Sequence, residues 1–269
     1  MPTPFYHLSL AEDLLDYTEL SEKLRQFLRL FIGAFSFGTT APDVQVVSGQ
    51  TREKTHFFSL PIVNGEPEPW KLLLAEYPQL GDPKRLSTSR MAFLAGYLCH
   101  LQADWMWVKE IFAPVFGPDC TWGSFRERLY LHNALRAYLD IRILPKLRTG
   151  LDACLAQVDP DDWLPFESDN ALTQWRDLLY PQFQPGAASQ TVEVFSSRQG
   201  VSAPEFQDLL DSKERMQCEV FDHLPLQEVR RYHQRVLKAN AQLLSAYLAS
   251  SSQDVVYRNL SDEIIGVQP

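Results

Sequence analysis

The stretch AFLAGYLCHLQADWMW, residues 92–107, is an apolar helix-forming run that carries His100 and Asp104 four positions apart. At 3.6 residues per turn the two side chains share one helix face, a turn apart. The apolar side of that helix runs through Met91, Leu94, Leu98, Leu101, Trp105 and Val108, with His100 and Asp104 beside it. Both are therefore expected to be at least partly buried. A buried carboxylate is costly unless a cation, a hydrogen-bond network or a metal compensates it.

The rest of the chain follows the same helical grammar. Ser9-Leu10-Ala11-Glu12 and Ser124-Phe125-Arg126-Glu127 read as capping boxes. The first is expected to start a helix just after His7, and the second opens a helix through Leu131, Leu135 and Leu139, kinked near Pro145. Leu20, Leu24, Phe27, Leu28 and Phe31 mark a helix that fades at Gly38, and Trp70 to Tyr77 a shorter one. Any of Ser87, Thr88 or Ser89 can cap the helix of His100. Further helices are predicted near 170–180, at 203–223 and at 226–249, with loops over about 38–68 and 181–202. No run alternates at period two long enough to build a large sheet, and no internal repeat is visible. The predicted fold is all-α: a compact multi-helix domain over 1–269, with a core about 5–140, a helical part about 160–250 and a loosely held tail at 251–269.

Bulk properties restrict the partners. Apolar residues make up 45% of the 269, enough for a substantial core in one large domain. A formal net charge of −9 argues against a nucleic-acid backbone as main partner, although a metal can still supply local positive charge for a small anion. The start, MPTPFYHLSLAEDLL, carries no basic segment followed by an apolar run, and the apolar-rich stretches near 27–37 and 91–108 are broken by Arg29, Arg90, His100 and Asp104. The expectation is a cytoplasmic protein with no secretory signal and no transmembrane segment. The four cysteines, Cys99, Cys120, Cys154 and Cys218, are scattered without a CxxC pair, so free thiols are expected and a cysteine zinc site is not.

Four of the six histidines lie in the first half: His7, His56, His100 and His132. His56 follows Asp43 by thirteen residues, and His132 shares a helix face with Arg136 and Asp140. Neutral imidazoles with carboxylates suit Zn²⁺ or a similar divalent ion. Taken alone, the His100–Asp104 spacing reads first as a structural hydrogen bond that stabilises helix packing, and Asp43 can be a turn cap after Pro42.

Taken together, "YHLSLAEDLL", "GTTAPD" with "THFF", "FLAGYLCHLQAD" and "HNALRAYLD" resemble, in order and over roughly residues 5–140, the motifs of the zinc-dependent phospholipase C group, which shares its fold with the S1/P1 nucleases. The resemblance implies a central metal site of Asp43, His56, His100 and Asp104, with His7 adding a neighbouring metal that shares Asp104. It also implies that Asp43 orients or deprotonates the attacking water. The family's third site departs here: His132 matches one histidine, but Arg136 stands where a glutamate belongs and Glu110 where the other histidine belongs. A guanidinium cannot ligate a metal, so Arg136 is expected either to pair with Glu110 or to grip a substrate phosphate. The family's N-terminal tryptophan ligand also has no counterpart in the six residues before His7. The implied function is hydrolysis of a phosphate ester, a phosphodiester or phospholipid head group, with one or two zinc ions. The alternative is a metal-binding scaffold or interaction protein of the same fold that has lost catalysis.

Overall fold

A computed structural model of the chain describes residues 1–63, 65–184, 186–187 and 190–249. The expected tail at 251–269 lies outside the described residues. The architecture is all-helical: α1 (Pro4–Asp16), α2 (Glu22–Leu30), α3 (Ile32–Gly38), α4 (Gln45–Ser48), α5 (Arg52–His56), α6 (Pro69–Glu76), α7 (Thr88–Trp107), α8 (Phe125–Ile143), α9 (Leu151–Ala156), α10 (Asp169–Leu179), α11 (Thr191–Gln199), α12 (Ala203–Asp211), α13 (Lys213–Arg215) and α14 (Leu226–Ala249). No strand occurs among the described residues, and no helix there is long and apolar enough to cross a membrane.

The central element is α7. Ser87 caps it by accepting from the Arg90 amide at 3.4 Å. Its side chains from Met91 to Val108 are almost all buried because α3, α6 and α14 pack around it. The Tyr232 hydroxyl on α14 donates to the Ala103 carbonyl of α7 at 2.8 Å. One connected hydrophobic core runs from Tyr6 in α1 to Leu248 in α14.

The crossing of α3 and α7 is the tightest packing in the fold. A Cβ on Gly38 would sit 1.9 Å from the Phe93 carbonyl oxygen, and one on Gly96 only 2.2 Å from that of Phe35. Backbone therefore lies on backbone. This contact brings the chain just after α3, at Thr39, against the next turn of α7, at His100.

Several boundaries differ from expectation. α1 starts at Pro4 rather than after His7: Thr3 caps it by accepting from the Tyr6 amide at 3.3 Å, and Pro4 suits a first turn that needs no N–H. His7 is thus inside a helix. The helix predicted through Phe31 breaks there into α2 and α3, with Phe31 outside helical geometry. The expected loop after Gly38 is coiled instead, as a 3₁₀ turn at Ala41–Val44 followed by α4 and α5. The expected loop at 181–202 contains α11. α8 carries both halves of its capping box and passes at Ile143 into a 3₁₀ turn that contains Pro145, rather than kinking there. Beyond Trp107, α7 widens into a π-type coil over Val108–Phe116, and a second such coil at Met216–Phe221 ends the helix predicted for 203–223.

Candidate metal centre

Five of the sequence-predicted ligands converge. α1 supplies His7, the 3₁₀ turn supplies Asp43, the end of α5 supplies His56, and α7 supplies His100 and Asp104. Two groups, His7–His100–Asp104 and Asp43–His56–His100, each hold their ligand atoms within 4.8 Å of one another. His7, His56, His100 and Asp104 are buried to 2% exposure or less, while the Asp43 side chain is 21% exposed and opens on a cavity.

Each imidazole is aimed by its neighbours. His100 Nδ1 lies 2.8 Å from the Thr39 carbonyl, which only accepts, so that nitrogen carries a proton, and in the neutral ring Nε2 is left as a lone pair. Thr55 Oγ1 lies 3.2 Å from the Arg52 carbonyl and 2.9 Å from His56 Nδ1; when it donates to the carbonyl it accepts from Nδ1, and His56 Nε2 is then a lone pair too. These two Nε2 atoms face each other at 3.3 Å. With both rings neutral, two bare lone pairs at that distance repel unless a cation lies between them, and either a metal ion or a proton on His100 meets that need. Fixing the outer nitrogen so that the inner one points at a cation is how metal-binding histidines are held.

The spacing agrees with that reading. A tetrahedral zinc with ligands at about 2.0–2.1 Å has ligand–ligand edges of about 3.3 Å. The observed edges are 3.3 Å for His56–His100 and for His7–Asp104, 3.4 Å for His56–Asp104, 3.6 Å for His56–Asp43 and 3.7 Å for His100–Asp104. His7 Nε2 and Asp104 Oδ1 are buried with no hydrogen-bond partner, which leaves two polar atoms in want of a ligand. His7 also stacks on His100, with ring centroids 3.8 Å apart.

The electrostatics point the same way. Burial works against the Asp104 carboxylate, but His100, His7 and Arg52 overcome it and hold its pKa well below the ordinary range. Asp43 likewise resists burial through His56 and His100 and sits at about 2. Burial lowers the His7 pKa to about 4 and lowers that of His56 as well, so both stay neutral, available donors near pH 7. His100 is the exception: burial pushes its pKa down, the two carboxylates outweigh that, and the raised value favours a proton on this ring that a metal must displace.

The expected third site does not assemble. His132 Nε2 accepts from Trp107 Nε1 at 2.9 Å inside a shell of Trp107, Phe112 and Phe116, and it joins neither ligand group among the described residues. Glu110 turns away to pair with Arg235 at 2.7 Å, because the widened coil after Trp107 carries it toward α14. Arg136 therefore does not pair with Glu110. It donates to the Met1 carbonyl at 3.0 Å and to Asn133 Oδ1, with its guanidinium 4.3 Å from the Phe195 ring centroid. Burial lowers its pKa to about 10, which leaves it charged near neutral pH.

Sequence reasoning missed Arg52, whose Nη2 lies 2.8 Å from Asp104 Oδ2. Its signal was the 52/56 spacing that puts it on the His56 face of α5, which is invisible if the segment is read as loop. Arg52, Arg136 and Arg198 line the same cavity of about 330 Å³ as Asp43, together with the apolar side chains of Phe5, Trp175, Leu179 and Phe195. In a chain with net charge −9, this is a locally cationic recess. No family model, curated protein or solved structure matches this chain.

Proposed function

We propose that this chain is a metal-dependent hydrolase of a phosphate ester, the activity implied by its resemblance to the zinc-dependent phospholipase C and P1 nuclease group. The observation that carries the reading is the pair of ligand groups sharing His100, which reaches a cavity through Asp43 where three arginines stand. Zinc suits this donor set of neutral imidazoles and carboxylates, and one or two ions are proposed, in a cytoplasmic setting. Zinc bound here would supply a Lewis acid that makes a water more acidic near neutral pH.

The residues of the chain supply the rest. Asp43, facing the cavity, orients the attacking water and takes its proton as the water oxygen bonds to phosphorus and the ester oxygen leaves. Arg136 and its neighbours place positive charge beside the phosphoryl oxygens. Burial of His7, His56, His100 and Asp104 removes competing solvent and strengthens every charge interaction there. The local arginines suit a small phosphodiester or a phospholipid head group better than a long nucleic acid, whose many phosphates need a broad basic surface.

A second reading has its own observation. Arg52 already gives Asp104 a cation, so the cluster can stand as a metal-free scaffold without turnover. The discriminating experiment is metal content per chain, with cleavage of a chromogenic phosphodiester. Tightly held zinc and a turnover abolished by Asp104→Asn support the hydrolase. Zinc without turnover on any phosphate ester, or no metal at all, supports the scaffold.

A further inference from the structure

Asp104 Oδ2 is contested. It lies 2.8 Å from Arg52 Nη2, 3.4 Å from His56 Nε2 and 3.7 Å from His100 Nε2. A divalent cation held by those imidazoles and this carboxylate would sit beside the guanidinium. Two cations so placed repel strongly where little water screens them. Arg52 is the one that can leave. Among the described residues, Asp104 is the hydrogen-bond partner of its side chain, its Nε is buried without an acceptor, and the side chain is 19% exposed along the cavity wall. Its guanidinium lies 4.4 Å from the Phe58 ring centroid, a flat face that holds it by stacking without fixing its direction.

The cavity offers Arg52 a second task. Arg136, whose Nε is likewise buried with no acceptor, lines the same cavity. Two arginines lining one recess, each with hydrogen-bonding capacity unspent, suit a planar or tetrahedral oxyanion.

We propose that Arg52 is a displaceable counter-ion: it holds Asp104 until a divalent cation takes that carboxylate, then swings into the cavity and joins Arg136 as the seat for a phosphate group. The inference rests on the metal-dependent reading above. It makes metal binding the event that completes the anion site, so that phosphate is bound second.

The test uses the full chain with Zn²⁺ alone and with inorganic phosphate as probes. Zinc affinity is measured by competition with a chromophoric chelator, and phosphate binding to the zinc-loaded protein by calorimetry. Arg52→Met keeps an apolar stem on Phe58 and removes the competing charge. It is expected to bind zinc about tenfold or more tightly, and its zinc-loaded form to bind phosphate about tenfold more weakly. Arg136→Met is expected to weaken phosphate binding with zinc affinity unchanged. Arg52→Lys, which keeps the charge, is expected to hold zinc affinity near that of the parent.

Zinc affinity unchanged or weakened in Arg52→Met, an equal gain in Arg52→Lys, or phosphate binding indifferent to Arg52→Met would each overturn the exchange. The two readings fail separately. The stated affinity changes with no ester cleaved by the parent leave the exchange standing without a hydrolase, and cleavage with zinc affinity indifferent to Arg52 does the reverse. A parent chain that binds no zinc removes both.

Discussion

Asp140 shows how a single buried acid can set a pH dependence away from the metal centre. Its two oxygens accept from the hydroxyls of Thr3 and Thr191, and it is fully buried. Burial pushes its pKa up to about 7, against the opposing pull of the two hydroxyls and of Arg136. The folded value therefore lies above the unfolded one, and the native state binds the extra proton. Stability from this group is complete below about pH 4 and is lost as pH rises toward about 7. Asp140→Asn keeps an acceptor and a donor for the two hydroxyls and cannot ionise. Its melting temperature relative to the parent is expected to be clearly more favourable near pH 8 than near pH 5; a difference independent of pH would show that Asp140 does not carry a raised pKa. The residue was legible in the sequence only as a member of the His132–Arg136 face. Its partners come from positions 3 and 191, and no local pattern announces contacts so distant along the chain.

At the scale of the element, the candidate metal centre depends on how closely α3 and α7 approach. Gly38 and Gly96 let the two backbones touch, and the same contact aims the Thr39 carbonyl at His100 Nδ1. Gly96→Ala would put a methyl 2.2 Å from the Phe35 carbonyl oxygen, with no flexible side chain to yield. Overpacking of this kind costs about 1–3 kcal/mol, and forced separation of backbones belongs at the upper end. The expected outcome is a lower urea midpoint together with weaker zinc binding, because a displaced Thr39 no longer fixes the imidazole; a variant with parent-like zinc affinity would uncouple the crossing from the site.

The helices themselves were largely readable, because Ser87, Ser124 and the apolar spacing of α7 act locally. The segment after Gly38 was not. Its glycines and prolines suggested loop, whereas Pro42 begins a 3₁₀ turn, Gly49 terminates α4 in the left-handed region and Thr51 starts α5. That misreading hid Arg52, since a loop has no face on which to place it.

At the scale of the whole molecule, the ligand-bearing segments span the chain from residue 7 to residue 104, and they meet between a core helix and shorter elements packed on it. The sequence could show that these residue types recur in a familiar order. It could not show that His132 and Glu110 part from the rest, because the widened coil after Trp107 resets the helix face that fixed spacing relies on. A cation shared by α1, the 3₁₀ turn, α5 and α7 would act as a tie between elements, and binding to the native state alone raises stability with ligand concentration. At a hundredfold excess of free zinc over its dissociation constant, the gain is about 2.7 kcal/mol. Hydrogen exchange should report where that gain falls. α7 lies in the core and is expected to open only with global unfolding, so its slow amides should gain no more than the global increment. α5 spans only Arg52–His56 and has no side-chain cap, so its amides open locally in the metal-free protein and are expected to gain protection first. Zinc that raised the melting temperature without slowing exchange in α5 would exclude the Asp43–His56–His100 group and leave His7–His100–Asp104 as the seat, since His56 has no route to the ion except through that helix.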